Sequence, residues 1–142
     1  MTTLALSIAV AALSLATNDT PESELDKYQG TWVLVSEEFE GKKVRAEELA
    51  DELKNLSYTV RGDKVLFTSR GEDRSATIKL DPNKSPKTYD LLRDDSRTLK
   101  GIYAWDGETI KVCSASDQGD RPMEFKTEVG CSNRIRVWKR KP

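Results

Sequence analysis

The sequence predicts an all-β fold: one eight-stranded, antiparallel, up-and-down barrel with a short helix between its first two strands. Three observations predict it. Short runs of alternating apolar and polar residues recur from Tyr28 to the end of the chain. Turn residues separate the runs, and Asp106-Gly107 is the strongest hairpin signal, because both central positions of a type I′ turn need positive φ. The connections are mostly short, which favours a meander over Greek-key crossings, and eight strands can close and so remove their exposed edges.

The strands follow in order. Thr31 to Phe39 is the first. Leu56 to Arg61 is the second, with Leu56, Tyr58 and Val60 on one face, and Gly62-Asp63 turns the chain into Lys64 to Ser69. Gly71 precedes Arg74 to Leu80, whose Ala76, Ile78 and Leu80 share a side. Asp81 to Pro86 reads as a loop, and Lys87 to Arg93 carries Tyr89 and Leu91 inward. Thr98 to Trp105 and Glu108 to Ser114 form the hairpin around Asp106-Gly107, and Arg134 to Arg140 is the last strand. One segment reads as a helix, Ala46 to Leu56, with Leu49, Leu53 and Leu56 in a narrow apolar stripe. Acidic residues fill its first turn and Lys54 sits in its last, as the helix dipole prefers.

Composition bounds the function. The chain has 142 residues, enough for one domain. Its 23 basic and 24 acidic residues give a net charge of -1, so no basic excess exists to follow a nucleic-acid backbone. There is no histidine, which removes Ser-His-Asp triads, Cys-His pairs and the HExxH zinc site. Residues 1–16 carry no charge and are apolar from Leu4 to Ala16, the length of a signal-peptide core and too short to span a membrane. Ser14 and Ala16 have the spacing that a signal peptidase needs, so cleavage is expected after Ala16, with export to the periplasm or the cell exterior. Residues 17–27 have the composition of a linker, and 28–142 form the domain.

At residues 29–36, QGTWVLVS, the chain resembles the lipocalins, whose first strand opens on Gly-x-Trp, here Gly30 and Trp32. The resemblance implies that a basic residue of the last strand closes the barrel base across Trp32. Arg140 matches best, with Arg136 as the alternative. The chain is more closely similar to a lipocalin-like domain family abundant in planctomycete genomes. The similarity runs over 28–142, at QGTW, at the helix after GKKV, at LDPNKSPKTYDL, GIYAWDGETIKVC and RPMEF, and at the closing VWKR. That family has no assigned activity to carry over. The broader lipocalin resemblance implies carriage of a small apolar molecule, by analogy of fold.

The expected function is therefore binding of a small, partly apolar or amphipathic molecule inside the barrel. Tyr58, Phe67, Tyr89, Tyr103 and Trp105 would line the cavity, and the helix would cover its mouth. A structural or protein-interaction module with a filled barrel is the competing class. Its active surface would be outside, on the face of Arg134, Arg136, Trp138 and Arg140. An enzyme using carboxylates or a tyrosine is the third, although no pair of carboxylates is singled out by spacing. The acidic turns at Asp94-Asp95, Asp106 to Glu108 and Asp117 to Asp120 do not fit a calcium loop, so no metal or cofactor is implied. Cys113 and Cys131 are the only cysteines. Cys113 follows the inward Ile110 and Val112 and so points outward. A Cys113–Cys131 disulfide is the expectation for an exported chain, and two separate buried thiols are the alternative.

Overall fold

The computed structural model describes residues 20–69, 71–115 and 119–142. The signal peptide expected over residues 1–16 lies outside the described residues. Helix α1 (Pro21–Lys27) comes first. Strands β1 (Gly30–Phe39) and β2 (Lys42–Arg45) follow, then a 3-10 turn (Ala46–Glu48) and helix α2 (Asp51–Lys54). The remaining strands are β3 (Ser57–Arg61), β4 (Lys64–Ser69), β5 (Glu72–Asp81), β6 (Lys87–Arg93), β7 (Thr98–Asp106), β8 (Thr109–Ser114) and β9 (Arg134–Arg140). All pairings are antiparallel, in the order β2-β1-β3-β4-β5-β6-β7-β8-β9, and β1 also pairs with β9. β2 and β3 share one edge of β1: β2 pairs with Ser36–Phe39 and β3 with Gly30–Val33. β1 and β3–β9 thus close an eight-stranded up-and-down barrel, and β2 is a short ribbon standing beyond its rim.

The helical parts differ from expectation. Residues 21–27, whose composition reads as linker, form α1. Thr20 and Ser23 cap it reciprocally: the Thr20 side chain accepts from the Ser23 amide and the Ser23 hydroxyl from the Thr20 amide, while Pro21 occupies the first turn. The helix expected over Ala46 to Leu56 is broken into the 3-10 turn and the single turn of α2, with Leu49 and Ala50 extended between them (ψ 162° and 149°). Neither turn has a side-chain cap. Leu49, Leu53 and Leu56 still reach the barrel, but from an irregular backbone that leads from the rim at β2 down to the start of β3. The longer helix therefore lies before the strands and not between the first two.

β1 carries a bulge at Val35. Its register against β9 runs Trp32↔Arg140 and Leu34↔Trp138, then shifts to Ser36↔Val137 and Glu37↔Arg136. Trp138 and Arg136 lie on one face of β9, so the extra residue brings Glu37 onto the same inward face as Trp32 and Leu34. The face of Arg134, Arg136, Trp138 and Arg140, read as a solvent face, is the barrel interior. Ile135 is the outward residue and belongs to a second core outside the barrel, with Ile102 and Cys113.

The described part of the chain between β8 and β9, from residue 119 onward, covers this outer core. Phe125 packs on it, and Arg121 pins the segment by donating from Nη1 to the carbonyls of Tyr89 and Gly101, each at 2.8 Å, and from Nη2 to Asp90. Cys113 and Cys131 are free thiols here, in place of the expected disulfide. Cys113 is fully buried under this segment, with its Sγ 3.8 Å from the Glu124 carbonyl, whereas Cys131 is half-exposed on the approach to β9. Burial pushes the Cys113 thiol above its ordinary pKa, which keeps it a neutral apolar filler.

Inside the barrel Tyr89 faces Gly101 on β7, which in turn faces Ser114 on β8. The Tyr89 ring lies across the space that a side chain at 101 would fill, since a Cβ there would stand 2.3 Å from the ring, and its hydroxyl bonds to Ser114. Gly101→Ala is therefore expected to cost roughly 1–3 kcal/mol through overpacking. Urea unfolding measures it, and a loss under about 0.5 kcal/mol would show that the ring can move aside freely.

Candidate functional site

The barrel has a sealed end and an open end, and each is built by different chemistry. The sealed end is made by α1 and the aromatic residues beneath it. Trp32 donates from Nε1 to the Tyr28 carbonyl at 3.0 Å. The Arg140 guanidinium lies 4.9 Å from the Trp32 ring centre and donates to the Lys27 carbonyl. The Arg140 stem also lines the position above Gly30, whose φ of 116° favours glycine. Trp105 packs edge-on to Tyr28 and Tyr103 and lies beneath the Lys27 ammonium.

Glu24 is the polar centre of this end. It is 3% exposed, and its Oε2 accepts from the Tyr103 hydroxyl at 2.8 Å and from Trp105 Nε1 at 2.9 Å. Its Oε1 faces Lys87 Nζ at 3.2 Å. A seven-residue helix is marginal in water on its own, so these bonds, with Leu25 and Tyr28 against the core, hold it in place.

Above this floor lies a cavity of about 380 Å³. Its walls are mainly apolar: Val65, Phe67, Ile78, Leu80, Leu91 and Ile110 contribute. Leu53 and Leu56, from the segment that crosses between β2 and β3, also line it. Four of the residues expected to surround a ligand, Tyr58, Phe67, Tyr89 and Tyr103, line the cavity. The fifth, Trp105, does not: it lies two residues beyond Tyr103, nearer the β7–β8 turn, and belongs to the floor under α1.

The phenols of the cavity are buried, apart from Tyr58, which is half-buried. Tyr28 and Tyr58 share a short hydrogen bond between their hydroxyls. Burial raises the pKa of both, and raises that of Tyr89 to about 12. All three are neutral donors and acceptors at physiological pH.

Toward the open end the lining becomes polar. Arg93 and Arg136 line the cavity there, with Ser57 and Ser114. Arg136 Nε donates to Glu37 Oε2 at 2.9 Å, and Arg134 Nε lies 3.3 Å from Glu37 Oε1. Arg93 reaches Asp95 at 3.6 Å, in a cluster that also holds Arg74, Asp94 and Arg97. Sequence reasoning did not single out Arg93, Glu24 or Glu37, and it named Arg136 only as an alternative for barrel closure and as part of an outer face. Arg93 and Arg136 were within reach of it, because Arg93 alternates with Tyr89 and Leu91 and Arg136 with Trp138. Glu24 was within reach through the Thr20-Pro21-x-Ser23 capping pattern. Glu37 had no signal, because one unpaired residue reversed its face.

Among the described residues, no three His, Cys, Asp or Glu side chains converge as a metal site, and no helix is long and apolar enough to cross a membrane. No family model, curated protein or solved structure matches this chain.

Two outcomes are expected. Glu24→Ala leaves the Tyr103 hydroxyl and the Trp105 N–H without their acceptor and should cost about 2–4 kcal/mol in urea unfolding. A cost below about 1 kcal/mol would mean that α1 is not held through this carboxylate. The buried phenols predict alkaline sensitivity. Tyrosines of the unfolded chain ionise near pH 10, whereas Tyr28, Tyr58 and Tyr89 ionise only above it. Their contribution to stability is complete below pH 10 and falls as pH rises above it, that of Tyr89 being lost as pH passes about 12. Tyrosinate absorbance on a native titration, with urea midpoints at each pH, measures both. Ionisation of all four tyrosines near pH 10 in the folded protein would refute it.

Proposed function

We propose that this chain is an exported, lipocalin-like binding protein that holds one small, partly apolar molecule in its barrel. The observation that carries the reading is the cavity. Its 380 Å³ falls within the roughly 300–1,000 Å³ of small-molecule pockets, and it combines an apolar wall with a few placed polar groups. The sealed floor supports it too. With α1 and Trp32 closing one end, a ligand has a single way in, past the leucines of the segment that leads into β3.

Export rests on the uncharged apolar run from Leu4 to Ala16, with small residues at Ser14 and Ala16. Membership of the planctomycete lipocalin-like family rests on the motifs of residues 28–142. The barrel places several of them where they have physical work. Gly30 and Trp32 meet Arg140 at the floor. Arg121 and Phe125 of RPMEF clamp the outer segment onto β6, β7 and the outer core.

The test is titration with Nile red, an uncharged apolar dye, alongside native mass spectrometry of the protein after exposure to a lipid and metabolite extract. One dye per protein is expected, with fluorescence enhancement. Leu99→Trp, which places a larger side chain in the lining near the mouth, should weaken the dye at least about tenfold while the far-ultraviolet spectrum stays that of the parent. Absence of saturable dye binding, with a bare protein mass after the extract, would overturn the carrier reading.

A further inference from the structure

We propose that the ligand of this barrel is a carboxylate-headed amphiphile, with its head group bound at the mouth by Arg136 and its apolar body directed toward Tyr58 and Tyr28. The inference rests on the carrier reading and adds the chemistry and orientation of the ligand.

Charge placement is the first support. Two guanidiniums, Arg93 and Arg136, line the cavity, and among the described residues no carboxylate does. The counter-charge of Arg136 is Glu37, which the bulge in β1 turns inward and which stands behind the lining. Glu37 faces two guanidiniums at once, Arg134 and Arg136, so one negative charge answers two positive ones. It accepts from Arg136 through Nε alone. Among the described residues no hydrogen bond reaches the terminal Nη groups of Arg136. A guanidinium held at Nε and open at its Nη edge presents the planar fork that matches a carboxylate.

The gradient of polarity along the barrel is the second support. The deep phenols have their hydroxyls engaged: Tyr28 and Tyr58 with each other, Tyr103 with Glu24 and Tyr89 with Ser114. The inner end therefore offers ring faces and methyl groups, and among the described residues that line the cavity the basic ones, Arg93 and Arg136, stand toward the mouth. An amphiphile that entered head-first would bury its charge against Ile110, Leu80 and the satisfied phenols, which is costly. Entering tail-first, it buries its chain and leaves its head beside Arg136. Glu37 is a positioning residue in this account: it fixes the guanidinium before the ligand arrives and never touches the ligand.

Displacement of Nile red by three ligands of one chain length tests the proposal, each below its micellar concentration: dodecanoate, dodecanol and dodecylamine. Dodecanoate should displace the dye at concentrations at least about tenfold below dodecanol, with dodecylamine weakest. Arg136→Gln should abolish the preference for dodecanoate and leave dodecanol unchanged. Glu37→Gln, whose amide oxygen can still accept from Arg136 Nε but carries no negative charge to compete with the ligand, should widen the preference, a gain that a misfolded variant does not produce. Equal displacement by dodecanoate and dodecanol, retention of the preference in Arg136→Gln, or its narrowing in Glu37→Gln would overturn the proposal while leaving the carrier reading intact. A dye that does not bind, together with a bare protein mass after the extract, would defeat both.

Discussion

The ladder between β1 and β9 is the constraint on which the rest of this molecule depends. It closes the sheet, and it stacks three pairs along the barrel axis: Trp32 with Arg140, Leu34 with Trp138, and Glu37 with Arg136. The first pair makes the floor, the second the wall and the third the mouth. A perfectly regular β1 would have sent Glu37 outward and left the half-buried Arg136 at the rim without this acceptor, which is unfavourable for a partly desolvated charge. The single bulge at Val35 resolves this. It lets one strand carry aromatic packing at one end and an ion pair at the other, both on the inner face.

The floor shows how a barrel of this size tolerates a hollow interior. Removing side chains from a core forfeits dispersion and hydrophobic stabilisation, and a domain of little more than a hundred residues has few to spare. Here the loss is offset at the sealed end and outside. Tyr28, Trp32, Tyr103 and Trp105 stack within 6.4 Å of a neighbour, and Glu24 joins two of them to α1. On the far side of β7, β8 and β9, Ile102, Cys113, Ile135 and Phe125 form a second apolar cluster clamped by Arg121. The barrel is thus packed below and outside, and open only where the cavity lies.

The distribution of charge follows the same axis. At the sealed end the carboxylate of Glu24 is wholly inside and satisfied, so it strengthens docking and offers nothing to a ligand. At the open end the arginines line the cavity and their carboxylate partners stand behind them or at the β6–β7 turn. The described lining is thus basic at one end and apolar along the chamber. The phenols of the chamber are neutral at physiological pH, because burial raises their pKa further above 10.

The number of barrel strands, their antiparallel meander and most of the inward residues were legible in the amino-acid sequence, because period-two alternation and turn residues are local properties that survive folding. Tyr58, Phe67, Tyr89 and Tyr103 could be placed on the inner face for that reason. Tertiary structure alone decided what depends on partners distant in the chain. Composition marked residues 21–27 as linker, yet Glu24 finds its acceptor role only when β6 and β7 bring Lys87, Tyr103 and Trp105 beneath it. A stripe of three leucines predicted one helix over Ala46 to Leu56, and the need to span from β2 to β3 broke it into two turns. Alternation placed Arg136 with Trp138 correctly, but which of the two faces of β9 was the interior followed from closure against β1. The position of Glu37 came from a bulge, which leaves the pattern of residue types unchanged and reverses the face of everything after it.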